Sequence, residues 1–216
     1  MLSGGLDSAV LAAQEAQTRL VHPVYVASRL AWEEGEQRLV ADLLSRPPLA
    51  GRVAPLVRLD FDMRDVYAAS HWAITGTPPA YDTPDEDVYL HGRNVALLSK
   101  AAVYAATRNI ARLVVAPLAG NPFPDATPQF FAAMSAALSL GLDAPIEISA
   151  PFARLHKEDV VKIGAALGVP FELTLSCMNP AGTTHCGLCS KCRERRDAFH
   201  DAGITDPTTY ANLSPR

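Results

Sequence analysis

A glycine turn with the sequence Ser-Gly-Gly-Leu-Asp-Ser, at residues 3–8, is the first feature that could do chemistry. Its adjacent glycines lack Cβ atoms, so the backbone can turn tightly and approach a ligand closely. The pattern becomes helical from about Asp7, and a glycine turn that opens a helix directs amides and a positive dipole end at an anion. The Asp7 carboxylate cannot hold phosphate itself, but it could hold a Mg²⁺ ion that bridges phosphates. We predict a nucleotide-phosphate site formed by Ser3, Gly4, Gly5, Leu6, Asp7 and Ser8; a glycine-rich helix cap without a ligand is the alternative.

The four cysteines of the chain form a second cluster with the spacing C-x8-C-x2-C-x2-C. Thiolates suit zinc, and four of them close a tetrahedral structural site that leaves no open position. An iron–sulfur cluster is one alternative, and a pair of disulfides, which a cytoplasmic setting disfavours, is another. The predicted zinc ligands are Cys177, Cys186, Cys189 and Cys192.

Other polar residues flank this cysteine cluster. His185 is a candidate fifth ligand, although a histidine beside a ligand cysteine is more often a surface residue. Basic residues follow the last cysteine and could neutralise the thiolates or contact phosphate, but a solvated helix face is the simpler interpretation. These residues are Lys191, Arg193, Arg195 and Arg196.

Composition limits the classes of function. The chain has 216 residues, of which 49% are hydrophobic, so it can bury a sizeable core. No apolar run is long enough to span a membrane, and no signal peptide is evident at the N-terminus, so we expect a cytoplasmic protein without a membrane partner. The net charge of −4 argues against a broadly basic nucleic-acid-binding protein.

Hydrophobic periodicity divides the chain into alternating strands and helices. This order predicts an α/β fold with a parallel sheet covered by helices on both faces, and ligands then bind beyond the carboxyl ends of the strands. The irregular segment 62–91 is long enough to predict a partly structured binding element. Predicted helices span 9–19, 31–45, 93–107, 129–140 and 157–167, and predicted strands span 20–27, 53–61, 111–118 and 146–149.

Together, the glycine turn and the cysteines resemble the PP-loop ATP pyrophosphatases, and within them the QueC/ExsB family. The resemblance extends to a GRN motif at 92–94, an LHK segment at 155–157, the CGLCSKC run at 186–192 and the AGITDPT tail at 202–208. It implies a Rossmann-like PP-loop domain over residues 1–170 and a zinc-binding segment over 171–216. It also implies that ATP adenylates 7-carboxy-7-deazaguanine and that ammonia converts it to 7-cyano-7-deazaguanine (preQ0), a queuosine precursor, with Mg²⁺ and Zn²⁺ as cofactors and a homodimer as the assembly.

Roles for individual residues also follow from the resemblance. Asp7, Arg93 and Lys157 are expected to be catalytic: Arg93 would pair with phosphate or the substrate carboxylate, and Lys157 would offset phosphate charge. Asn94 would join the turn in binding ATP, and Asp125 would join Arg93 in binding substrate. Ordinary alternatives are a surface ion pair for Arg93, a helix cap for Asn94 and a solvated helix start for Lys157.

Some positions depart from the family pattern. The family places the glycine turn after a buried first strand, but only Met1 and Leu2 precede Ser3, and we expect a late start codon with an apolar run encoded upstream. Segment 28–36 replaces a YGQRH-type segment. Thr127 and Gln129 replace an arginine and an acid of the substrate loop, and Met178 replaces a tyrosine.

These departures leave the identity of the carboxylate substrate open. A paralogue acting on another carboxylate, a tRNA-modifying PP-loop enzyme and a non-catalytic nucleotide-binding regulator are the alternatives. The negative charge and the commitment of the cysteines to metal disfavour the tRNA enzyme, and the shortened first strand is the best support for the regulator.

Overall fold

The computed structural model describes residues 1–212, which form strands and helices in alternating order. All nine elements expected from periodicity are present, so the predicted α/β class is confirmed. The helices are α1 (Leu6–Glu15), α2 (Glu33–Leu44), α3 (Trp72–Thr75), α4 (Arg93–Ala106), α5 (Pro128–Leu142), α6 (Lys157–Ala166) and α7 (Ser190–Ala202). The strands are β1 (Val24–Ala27), β2 (Val57–Asp60), β3 (Arg112–Val114) and β4 (Glu147–Ser149).

The strands pair in parallel, as predicted, but in two separate pairs. β1 pairs with β2 in the register Val24 to Val57, and β3 pairs with β4 in the register Leu113 to Ile148. Within residues 1–212 these are two two-stranded sheets rather than one continuous sheet. Each pair is connected through helices, as parallel pairing requires.

Met1 and Leu2 lie between the two sheets. The Leu2 amide donates to the Val24 carbonyl at 2.8 Å, and the Met1 amino group donates to the Val114 carbonyl at 2.6 Å. Two residues supply only one such bond to each neighbouring strand, so the ladder is not continuous. A mainly apolar cavity of about 320 Å³ remains beside them, with Leu11, Val21 and Leu113 in its wall.

Successive side chains of β1 point to opposite faces of the sheet, and both faces are covered by helices. Tyr25 and Ala27 pack in an apolar cluster with α1 and α2, whereas Val24 and Val26 pack with Leu97 of α4. On the same side as α4, helix α5 covers β3 and β4. The first cluster continues into α6 and α7.

The C-terminal segment packs closely on α1 and α6. The rings of Phe171 and Phe199 meet edge to face at 5.0 Å. A Cβ atom at Gly164 of α6 would lie 2.6 Å from both Phe171 and Val10, so only glycine allows this approach. The division into domains 1–170 and 171–216 stays a prediction, while Phe171 and Phe199 share one apolar cluster with α1.

Segment 62–91 is partly structured, as predicted. It contains α3 and a 3₁₀ turn at Asp85–Val88. The ring of Trp72 stacks on Trp32 at 5.6 Å, and that of Tyr89 stacks on Phe123 at 5.3 Å. These aromatic contacts hold the segment against the N-terminal end of α2 and against the loop that precedes α5.

Across residues 1–212, no helix is both long enough and apolar enough to cross a membrane.

Candidate functional site

The predicted glycine turn does open a helix. Gly5 is the N-cap of α1, and Ser3 and Ser8 close the turn: the Gly5 amide donates to Ser3 Oγ at 3.2 Å, and Ser8 Oγ donates to the Gly5 carbonyl at 2.9 Å. The next amides, beginning at Leu6, have no acceptor within the helix because they belong to its first turn. The turn therefore presents backbone donors and the positive end of α1 to an anion.

Gly4 is required by the path of the backbone. Its φ is +85°, and a Cβ atom there would lie 2.9 Å from Cγ2 of Val40 in α2. The Gly4 carbonyl accepts a hydrogen bond from the Leu175 amide at 2.8 Å. The turn is thus fixed between α2 and the segment that leads to the cysteines.

Lys157, the first residue of α6, reaches the Asp7 carboxylate. Lys157 Nζ lies 2.8 Å from Asp7 Oδ2 and 3.2 Å from Glu194 Oε1 of α7. Burial opposes the charge on Lys157, but the two acids outweigh it and raise the lysine pKa above its usual value. The structure therefore brings together Asp7 and Lys157, which are 150 positions apart in the sequence.

One Asp7 oxygen is left without a partner. Oδ1 is buried and accepts no hydrogen bond, although its side chain lies at the mouth of the glycine turn. Buried carboxylate oxygens normally have partners, and an unshared one beside phosphate-directed amides suits a hard cation such as Mg²⁺. The residues present thus fit the predicted ion.

Glu194 is a site residue that the sequence analysis did not identify. Besides Lys157, it pairs with Lys191 at 2.8 Å, and Lys191 also pairs with Asp85 at 3.2 Å. Burial alone would raise the Glu194 pKa, but the two lysines lower it to about 2. Its i,i+3 spacing from Lys191 could have predicted the pair with Lys191 from the sequence. The contact with Lys157 depends on the tertiary fold.

Arg93 begins α4 and lies among acids and an aromatic ring. Its guanidinium carbon is 6.0 Å from the centre of the Trp32 ring, and its buried Nε has no hydrogen-bond partner. Burial raises the pKa of both Glu33 and Glu36, and the positive charge of Arg93 partly opposes that shift. An unshared donor on a partly buried guanidinium is suited to a carboxylate or phosphate.

Asn94 and Asp125 bind each other. The Asn94 amide donates to Asp125 Oδ2 at 3.0 Å, and Asn94 Nδ2 donates to the Asp125 carbonyl at 2.9 Å. Gly92 gives α4 no side-chain cap, so Asp125 caps the helix from a distant loop. Burial raises the Asp125 pKa. Their predicted roles toward ATP and substrate stay predictions.

Glu36 is a further buried acid that the sequence analysis did not single out. It is 7% exposed, and the Tyr25 hydroxyl donates to its Oε2 at 2.8 Å. Its burial could have been predicted from the sequence, because position 36 falls on the same helical face as Trp32, Leu39 and Leu43. An acid on a core-facing helical stripe needs a partner or a function.

Most of the predicted residues line two adjoining cavities beside β1 and beyond the carboxyl end of β3, but Gly4 and Asp125 are in the wall of neither. The smaller, of about 260 Å³, has Ser3, Asp7, Glu36 and Asn94 in its wall. The larger, of about 490 Å³, has Lys157 and Glu194 in its wall. Gly5, Asp7, Arg93 and Phe123 line both.

Cys177, Cys186, Cys189 and Cys192 converge, as predicted. Their Sγ atoms all lie within 4.8 Å of one another, and three of the cysteines are buried. Backbone amides point at the sulfurs: those of Asn179 and Cys186 lie 3.3 and 3.2 Å from Cys177 Sγ. Four convergent sulfurs, with amide hydrogens directed at those of Cys177 and Cys186, fit a tetrahedral zinc site.

The residues around the cysteines correct two expectations. His185 is 3% exposed rather than on the surface, and its Nε2 accepts the Ser176 amide at 3.1 Å instead of facing the sulfurs. Burial lowers its pKa to about 3. Arg195 is fully buried rather than solvated, because Thr174, Thr208 and the Phe171 carbonyl accept from its guanidinium.

Two basic residues of α7, Lys191 and Arg193, hold segment 62–91 in place. Arg193 donates to the carbonyls of Tyr81 and Thr83 at 2.6 and 3.2 Å, beside a backbone bridge between Ala80 and Cys189. Together with the ion pair between Lys191 and Asp85, these contacts attach the segment to the helix that contains Cys192 and has Cys189 as its N-cap. The sequence had predicted a solvated helix face for this basic run, and that prediction is wrong.

Two of the residues that depart from the family pattern, Thr127 and Met178, have structural roles here. Thr127 Oγ1 accepts the Phe130 amide at 3.1 Å and so caps α5, and Gln129 is exposed in its first turn. Met178 is buried in the cluster that contains the cysteines.

Comparison with known proteins agrees with this arrangement. Residues 1–203 match the family described as queuosine biosynthesis protein QueC. The chain is 31% identical to a 7-cyano-7-deazaguanine synthase of Porphyromonas gingivalis, over 97% of the chain and 95% of the relative. It is 33% identical to synthases of the same name from Methanoculleus marisnigri (97% of the chain, 96% of the relative) and Xanthomonas campestris (98% and 96%). The chain therefore belongs to the QueC family.

Proposed function

We propose that this protein is an ATP-dependent carbon–nitrogen ligase that converts 7-carboxy-7-deazaguanine to 7-cyano-7-deazaguanine for queuosine synthesis. The supporting observation is the juxtaposition of Asp7, Lys157 and the N-terminus of α1 in a cavity that also contains Arg93. That set can hold phosphates and a carboxylate together, and the related proteins named above are synthases of this product.

The glycine turn and Asp7 would orient ATP. The first-turn amides of α1, with Ser3 and Ser8, would contact phosphate oxygens, and Asp7 Oδ1 would hold Mg²⁺. The ion, when bound, supplies charge neutralisation across the phosphates. Lys157, kept charged by Asp7 and Glu194, would stabilise the pyrophosphate that leaves when the carboxylate attacks the α-phosphorus.

Arg93 would position the substrate carboxylate. Its free Nε and its forked guanidinium match a carboxylate, and the Trp32 ring lies beside the guanidinium. Asp125 would accept from the donors of the heterocycle, and Asn94 would contribute to the nucleotide side. Because Asp125 and Asn94 also bind each other, one ligand group would have to share or displace a hydrogen bond there.

Zinc, held by the four cysteines, would have a structural role. His185 is not among the convergent ligand atoms, and its Nε2 accepts the Ser176 amide. The site would hold α7 and the segment around Ala80 in place and so position Glu194 beside Lys157. We also propose that ammonia is the nitrogen donor, that the protein works in the cytoplasm and that it forms a homodimer.

The function is tested by incubating the protein with magnesium-ATP, ammonium and 7-carboxy-7-deazaguanine and following products by mass spectrometry. We expect the amide and then the nitrile, with AMP and pyrophosphate, and neither product from the Asp7→Asn variant. Substrate-independent ATP binding without AMP formation would contradict catalysis. AMP formation with a different carboxylate, and none with this one, would contradict the substrate.

A further inference from the structure

Glu36 occupies a position where chemistry, rather than stability, accounts for a buried acid. Its helix, α2, packs directly against the glycine turn: a Cβ atom at Gly4 would lie 3.3 Å from Glu36 Cβ. The side chain lies in the wall of the smaller cavity together with Asp7 and Arg93. The carboxyl group is thus next to the place where phosphates and a substrate carboxylate would meet.

The groups around Glu36 leave one of its oxygens available. Tyr25 of β1 donates to Oε2, while Oε1 accepts no hydrogen bond from any residue in 1–212. Glu33, one turn earlier in α2, and Arg93 of α4 are the other charged groups that act on it. Burial raises the Glu36 pKa to about 8, with Glu33 adding to the shift and Arg93 and Tyr25 opposing it.

The neighbouring acids Asp7, Glu33 and Glu194 already have hydrogen-bond or ion-pair partners. Asp7 pairs with Lys157. Glu33 accepts the amides of Ser28 and Arg29 at 2.8 to 3.0 Å. Glu194 lies between two lysines that keep it ionised. Glu194 is therefore a poor proton acceptor, because the lysines stabilise its negative charge. Both oxygens of Glu33 already accept backbone amides, and Asp7 is held by Lys157.

We propose that Glu36 is the general base that removes a proton from the nitrogen nucleophile during amination of the adenylated carboxylate. This inference rests on the proposed function. It adds a catalytic group to that reaction and explains why an acid is retained on the core-facing side of α2.

In this amination, ammonia attacks the adenylated carboxyl carbon and Glu36 accepts the proton that ammonia loses. The lone pair of ammonia forms the C–N bond while the carbonyl π electrons move onto oxygen. Glu36 Oε1 accepts one N–H proton from the resulting ammonium group. The oxyanion then re-forms the carbonyl, and the C–O bond to the phosphate breaks with its electron pair on AMP. The products are the amide and AMP, and the proton on Glu36 passes to water.

The test separates adenylation from amination with the Glu36→Gln variant. We expect substrate-dependent exchange of pyrophosphate into ATP to stay within about twofold of wild type, because no proton is removed in that step. Amide formation in a single turnover should fall about 100-fold or more. With hydroxylamine, which is neutral across this pH range, wild-type amination should rise as pH passes about 8, and the variant should lack that rise.

Glu34→Gln is the matched control, because Glu34 lies two residues away in α2 but is exposed and pairs with Arg38. It should behave like wild type in both steps. A misfolded protein would also lose pyrophosphate exchange, so the exchange that Glu36→Gln retains guards against a folding defect in that variant.

The outcomes are distinguishable. If wild type shows neither exchange nor amide with this substrate, the proposed function fails. If wild type makes the amide and Glu36→Gln makes it equally fast, the role of Glu36 is refuted. A higher KM for the carboxylate with unchanged kcat would make Glu36 a substrate-binding group and would also refute it.

Discussion

At the residue scale, Gly4 shows how steric constraints determine a binding turn. Any side chain at position 4 would destabilise the fold in two ways, through the positive φ and through a clash with Val40. We expect Gly4→Ala to destabilise the protein by roughly 2–4 kcal/mol, from left-handed backbone strain of about 1–2 kcal/mol and a similar overpacking cost. It should also weaken ATP binding, measured by calorimetry.

Gly51→Ala is the control for this change. Gly51 has φ +73° but nothing within 4 Å of the added Cβ, so only backbone strain applies. Urea unfolding of the two variants isolates the steric term. Equal losses of stability would show that contact with Val40 is unimportant.

The lowered pKa of Glu194 makes the stability of the protein depend on pH in acid. Its pKa is lowered from 4.5 to about 2, so its contribution is present above about pH 4.5 and is lost as pH falls toward about 2. The shift corresponds to roughly 3 kcal/mol at most. We expect the unfolding free energy of Glu194→Gln to be lower at neutral pH and to depend less on pH in this window.

The measurement is chemical unfolding at a series of acidic pH values. Glu172→Gln is a suitable control, because Glu172 is exposed. An unchanged pH dependence in Glu194→Gln would contradict the assignment of the pair with Lys157 and Lys191.

At the element scale, α7 transmits the order of the cysteine cluster to segment 62–91. The bridge from Ala80 to Cys189 and the contacts of Arg193 depend on the position of this helix. We expect removal of metal by a chelator to lower the melting temperature and to expose peptide bonds around residues 78–88 to protease. Mass spectrometry of the fragments identifies the cleavage sites.

Readdition of Zn²⁺ should reverse both effects, and the Arg193→Gln variant should show the protease sensitivity without loss of metal. Cleavage distributed evenly over the chain, or none in this segment, would contradict the proposed connection.

Helix α5 has the composition of an interface. Its 15 residues include no charged side chain, and only Phe131 is buried. Leu140 is 85% exposed, and Ala133, Ala136 and Ala137 are also exposed. We expect a homodimer through this face, and we expect Leu140→Asp to shift the mass measured by light scattering toward the monomer.

Lys100→Asp provides the comparison, because Lys100 is exposed on the neighbouring helix α4. A dimer that survives Leu140→Asp would place the interface elsewhere. A wild-type monomer would remove the proposal of an assembly through α5.

At the scale of the whole molecule, the two sheets are connected mainly through helices. Between β1 and β3, Met1 and Leu2 each make one backbone bond, and an apolar cavity of about 320 Å³ remains. An added extended segment could pair with both strands at once and cover apolar surface. We expect an engineered extension of five or six alternating valine and threonine residues before Met1 to raise the melting temperature by several degrees.

A Gly-Ser extension of equal length is the control, because it cannot fill the apolar space. Equal melting temperatures for the two extended proteins would show that the space between the sheets has no effect on stability.

Local sequence patterns determined which elements form and which ligand sets exist. The α/β order, the glycine turn that caps α1 and the cysteine cluster followed from period, turn chemistry and spacing, because these depend on neighbours close in sequence. Thr127 and Pro128 at the start of α5 are signals of the same kind.

Long-range packing decided how the site is completed. Lys157 meets Asp7 and Glu194 only because α1, α6 and α7 pack together, and Asp125 caps α4 only because a distant loop lies there. The burial of His185 and Arg195 also follows from tertiary packing. Sequence alone therefore indicated a phosphate site and a metal site, whereas the tertiary structure determined which acids and cations share a cavity, because charges interact through space and not along the chain.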